Sequence, residues 1–125
     1  MLSLLAGIMI SLGCIVYLSI GQPIGPFLFA FGLMSVLAFK FELFTGKAGL
    51  LATNQITPYN LLEIWCGNFC GAIFTALLII FTPIGANLTN AARPIIETRI
   101  GNGFIVNLIY GIFCGILMYL AVTTY

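Results

Sequence analysis

Glu42, Thr45 and Lys47 bring a carboxylate, a hydroxyl and an ammonium together in the stretch Phe41-Glu42-Leu43-Phe44-Thr45-Gly46-Lys47-Ala48-Gly49. Their neighbours are apolar or glycine, so this chemistry interrupts a long hydrophobic segment. Within a lipid-embedded helix, such an interruption leaves peptide N–H and C=O groups without partners. It survives only where protein or a water-filled cavity surrounds it. Broken membrane helices of this kind mark transport sites, where free peptide groups and a hydroxyl hold a small solute. Asn68, inside another apolar run, is a second polar signal. A mid-span amide needs hydrogen-bond partners, and a broken backbone nearby supplies them.

The elements that position these residues are membrane helices. The chain is 62% apolar and only 6% charged, against roughly 25% charged in a soluble domain. Its ionisable acids and bases are Lys40, Glu42, Lys47, Glu63, Arg93, Glu97 and Arg99, too few to cover the surface of a soluble fold. The formal net charge of +1 excludes nucleic acid as a partner. Four apolar segments approach the ~20 residues that a bilayer requires. They span residues 2–20, 26–52 with a break near 43–46, 61–81 and 101–122. The predicted class is an all-α integral membrane protein, a single transmembrane domain over residues 1–125 with its second helix broken by Leu43-Phe44-Thr45-Gly46. No second domain, tail or cleaved leader is expected, because the first segment lacks a basic n-region and runs the length of a span.

The segments are punctuated by Gly21-Gln22-Pro23, by Thr53 to Pro58 and by Thr82-Pro83. The connection 83–99 is the longest polar stretch, with Asn87, Asn90, Arg93, Glu97 and Arg99, and is expected to hold at most a short amphipathic or interfacial piece. Gly67 and Gly71 lie one helical turn apart, as do Gly111 and Gly115, a spacing that lets helix backbones approach closely. A charge at mid-bilayer costs about 2.5–3.5 kcal/mol, so Lys40, Glu42 and Lys47 must face protein, water or an interface, and Lys40 and Glu42 can neutralise one another. Arg93 and Arg99, taken as loop charges, put the 83–99 connection in the cytoplasm by the charge-bias rule.

Catalysis is excluded as the leading class. There is no histidine and no Gly-x-Ser-x-Gly, and Glu42, Glu63 and Glu97 lie on different segments. Cys14, Cys66, Cys70 and Cys114 sit in apolar runs and read as small packing residues; no metal and no cofactor are expected.

The chain resembles the formate/nitrite transporter family. Glu42-Leu43-Phe44-Thr45-Gly46 matches the family's second-helix pattern, and Gly67-Asn68-Phe69-Cys70-Gly71-Ala72 its third-helix Gly-Asn-x-x-Gly-Ala. Gly111-Ile112 and Leu120-Ala121-Val122 match the fourth helix, and Leu5-Ala6-Gly7 with Gly13 the first. The resemblance implies a pore within each protomer, a homo-oligomer (a pentamer in the family), the bilayer of a bacterial inner (plasma) membrane, and a small monovalent anion or its neutral acid as substrate. By matched position, Leu43 and Phe44 narrow the pore on the cytoplasmic side, Thr45 belongs to the breaking loop, and Phe29 and Leu33 line the other constriction. Arg99 matches a basic residue at the outer entrance, which places the 83–99 connection outside, against the charge bias. Glu42, Lys47, Asn68 and Gly115 would support the pore.

Three departures stand out. The family has two inverted three-helix halves, whereas these 125 residues resemble the first four helices and contain no counterpart of the central pore histidine. Gly115 replaces an asparagine, and Lys47 an uncharged polar residue. The leading expectation is a channel or transporter subunit for formate-, nitrite- or hydrosulfide-type substrates. Neighbouring copies or a second small membrane chain would supply the remaining helices. The alternative is a non-conducting structural or accessory membrane subunit that keeps a transporter scaffold.

Overall fold

The computed structural model describes residues 1–124. The element order is α1 (Leu2–Ile20), α2 (Ile24–Ala38), α3 (Phe44–Lys47), a 3-10 turn (Ala48–Leu51), α4 (Pro58–Ile80), α5 (Gly85–Gly101) and α6 (Gly103–Thr124). The protein is all-α: no strand occurs among the described residues. Three of these helices, α1, α4 and α6, are long and apolar enough to cross a membrane, and α2 is a shorter apolar helix.

Helix α1 is central, with α2 packed on one side and α4 on the other. The α1–α4 seam explains the first pair of spaced glycines. A Cβ on Gly71 would meet the Leu4 carbonyl and the Gly7 Cα, and one on Gly7 would meet the Asn68 carbonyl. Small residues here let two backbones touch, which is how helices associate where lipid removes the hydrophobic drive. The second pair behaves differently. Nothing among the described residues lies within 4 Å of a Cβ built on Gly111 or Gly115, and α6 has no buried residue. The same spacing thus makes a closed seam on α4 and an open face on α6.

The helix ends follow local chemistry. Gly21 closes α1 with φ 71, and its N–H donates to the Tyr17 carbonyl at 2.9 Å. Thr57 caps α4, accepting the Asn60 N–H at 3.3 Å, with Pro58 in the first turn. The second segment starts at Ile24, ahead of the expected Pro26, and the fourth span starts at Gly103.

The 83–99 connection is the largest departure from expectation. It forms a 17-residue helix, α5, with Pro94 inside it. Gly85 and Leu88 anchor its first turns by burial. Proline removes only one backbone donor, the partner of the Asn90 carbonyl, and the helix continues through it.

Candidate functional site

The break between α2 and α3 is built by a specific end to α2. The Phe41 N–H donates to the Val36 carbonyl at 2.9 Å and the Lys40 N–H to the Leu37 carbonyl at 3.1 Å. Lys40 sits between them with φ 53. This is a Schellman closure, with a lysine in the left-handed position that glycine normally fills. Leu43 is extended at φ −97, ψ 126, and α3 starts anew at Phe44.

A new helix start within a span needs its first amide partnered, and Leu43 offers no side-chain cap. Asn68 provides the partner from across the bundle. Its Oδ1 accepts the Phe44 N–H at 2.8 Å. Its Nδ2 donates to the Glu42 carbonyl at 2.8 Å and to the Ser3 carbonyl at 2.7 Å. One amide thus ties the two ends of the break to each other and to the start of α1. The polar residue in α4 and the interruption in the second segment are two halves of one construction.

Glu42 pairs with Lys47, not with Lys40. Lys47 Nζ donates to Glu42 Oε1 at 2.7 Å, with the side chains 30% and 35% exposed. The reason is geometric: α3 is a single turn that returns Lys47 to the extended Glu42, while Lys40 is carried off by its left-handed backbone. Val122 and Tyr119 of α6 close over α3 and the 3-10 turn. A Cβ on Gly46 would stand 2.6 Å from Val122 Cγ2, and one on Gly49 would meet the Tyr119 ring.

Three cavities flank the break. One, of about 410 Å³, lies between α2, α3 and α6, and Val36, Phe41, Leu43, Val122, Lys40 and Lys47 are in its wall. A second, also about 410 Å³, lies toward α4 and is polar, with Glu42, Lys47, Gln55, Asn60 and Glu63 in its wall. A third, of about 270 Å³, is formed by Gly7, Ser11, Leu43, Phe44, Trp65 and Asn68 among others. Lys47 lines the first two, and Leu43 the first and third.

The structure therefore brings together Glu42, Leu43, Phe44, Lys47 and Asn68. Thr45, expected in the breaking loop, is instead half-buried in the helical turn α3, because the break falls at 39–43 and helix resumes at Phe44, and it lines none of these three cavities. Phe29 and Leu33 sit one turn apart on α2, both half-buried, and the Phe29 ring packs against Gly13 of α1. Arg99 lies at the end of α5, exposed, with its guanidinium 5.4 Å from the Tyr110 ring centroid. Its carbonyl accepts from Asn107 Nδ2 at 2.6 Å. Gly115 is on the open face of α6.

Sequence reasoning missed Asn60 and Glu63 as wall residues. For Asn60 the signal was there: positions 60, 64, 68, 71 and 75 form one helical stripe on α4, mixing polar and small residues with buried Ile64 and Thr75, and Glu63 lies beside it, one turn from Asn60.

A helical membrane protein with a broken second segment, tied down by an amide and flanked by cavities, is of the channel and transporter class. The family model for the formate/nitrite transporter matches residues 1–125, and the chain belongs to that family. Comparison with curated proteins and with solved structures gives no match. The protein is therefore an integral membrane protein of the anion channel and transporter kind.

Proposed function

We propose that the chain conducts a small monovalent anion or its neutral acid, of the formate, nitrite or hydrosulfide type, as part of an oligomer in a bacterial inner membrane. The observation that carries this reading is the Asn68-tethered break, which holds peptide groups beside cavities where lipid would otherwise forbid them.

The pathway runs from Arg99, on the outer side, past Phe29 and Leu33 to the break. Arg99 draws the anion in by its potential. Phe29 and Leu33 form one apolar constriction, and Leu43 and Phe44 the other, on the cytoplasmic side. Apolar constrictions strip or reject strongly hydrated ions and favour a neutral protonated species. Thr45 lines none of the cavities of the single chain, and its hydroxyl meets the solute only in the passage that a neighbouring helix completes. Glu42, Lys47 and Asn68 keep the break in shape. Gly115, on the open face of α6, admits a neighbouring helix. Copies of this chain, five by family resemblance, or a second small membrane chain close the open α6 side of the first cavity.

The test is formate influx into liposomes holding the purified protein, alone and with its natural partners. Saturable influx is expected, and Thr45→Val is expected to slow it by about tenfold, the scale of one lost hydrogen bond to a charged solute. Unchanged influx in Thr45→Val removes the role of that hydroxyl. No influx in either preparation leaves the non-conducting accessory subunit as the better reading.

A further inference from the structure

We infer that the cavity between α2, α3 and α6 is a binding subsite for a short monocarboxylate, with Lys40 as the cation that holds it. This deepens the transport reading by giving one resting place and a ligand chemistry to that route.

Three observations converge on Lys40. It lines the cavity together with Lys47, and no carboxylate lines that cavity among the described residues. Lys47 is already neutralised by Glu42 at 2.7 Å, whereas Lys40, an exposed residue at the cavity's edge, has no ion pair among the described residues. The cavity thus carries one uncompensated positive charge, which matches a monovalent anion and leaves a divalent one unbalanced. Finally, Lys40 occupies a left-handed position, φ 53, in a helix closure where glycine is favoured. A lysine placed there strains the backbone, and strain of this kind clusters at ligand-binding positions.

The rest of the wall selects the ligand. Val36, Leu37, Phe41, Leu43 and Val122 are apolar. They offer nothing to replace the hydration shell of a small inorganic anion. They do favour an ion with an apolar end, its carboxylate on the Lys40 ammonium by a charge-assisted hydrogen bond. The volume of about 410 Å³ accommodates such a molecule with water beside it.

The backbone strain makes a clean test available. Lys40→Gly removes the cation while relaxing the φ of 53, so folding is retained or improved. Saturation-transfer NMR on the full chain in detergent reads binding of acetate through its methyl protons. Acetate is expected to bind the unmodified protein, about tenfold more weakly to Lys40→Gly, and again well to Lys40→Arg. Propionate is expected to displace acetate more effectively than chloride does. Equal acetate binding in Lys40→Gly, no binding to the unmodified protein, or displacement by chloride as effective as by propionate each overturns the subsite. Formate influx measured in parallel keeps the two readings apart. Acetate binding that depends on Lys40 with no influx condemns transport and keeps the subsite; influx without acetate binding does the reverse.

Discussion

Asn68 holds more of this structure together than its single amide suggests. Its hydrogen bonds to the Phe44 N–H and the Glu42 carbonyl satisfy backbone groups that the broken segment leaves free, and a third, to the Ser3 carbonyl, ties the break to the first turn of α1. Leucine has nearly the same volume and makes none of them. In membrane proteins such bonds contribute about 0.6–1.7 kcal/mol each, so Asn68→Leu is expected to destabilise the fold by roughly 2–5 kcal/mol. Unfolding by titration with a denaturing detergent reads this directly; a loss below about 1 kcal/mol would mean that water serves those groups equally well. The link between Asn68 and the break was legible in sequence, because a mid-span amide and an interrupted span each lack what the other supplies. The Glu42–Lys47 pair was not. Which lysine reaches Glu42 depends on Lys40 leaving in the left-handed region and on α3 lasting one turn, and neither follows from residue type.

At the scale of helices, identical spacing leads to opposite environments. Gly71 sits against Leu4 and Gly7 in the α1–α4 seam, while Gly111 looks into open space. Gly71→Ala is expected to cost about 1–3 kcal/mol, because backbone atoms on α1 must move to admit a methyl group. Gly111→Ala meets no atom of its own chain and, within the protomer, is expected to stabilise by about 0.5–1 kcal/mol through helix propensity. The same detergent titration compares them, and equal effects would contradict the packing described. Spacing alone does not separate these cases, since it fixes which residues share a face and not which face meets a neighbour. Helix α5 was obscured for a related reason. Asn, Thr and Pro94 in a polar stretch read as a connection, yet Ala91, Ala92 and the buried Leu88 suffice once α1 and α4 offer a surface.

For the molecule as a whole, α6 is the element whose environment lies beyond the single chain. It touches α3 and the 3-10 turn through its last turns, and it buries no residue along its length. Lipid can cover its apolar side chains, but lipid gains nothing from Gly111 and Gly115, which expose backbone on one face. Small residues in that pattern let another helix approach closely. If a neighbouring copy packs there, replacing both glycines with leucine holds the helices apart without touching the α1–α4 seam. The doubly substituted protein is then expected to run as a smaller particle in detergent, measured by light scattering on a sizing column. Its unfolding in detergent is expected to stay close to that of the unmodified chain. Particle size and formate influx should fall together, because the α6-side cavity that Val122 borders would lose the helix that closes it. An unchanged particle mass would place lipid on this face and confine the conduction pathway to what one chain builds.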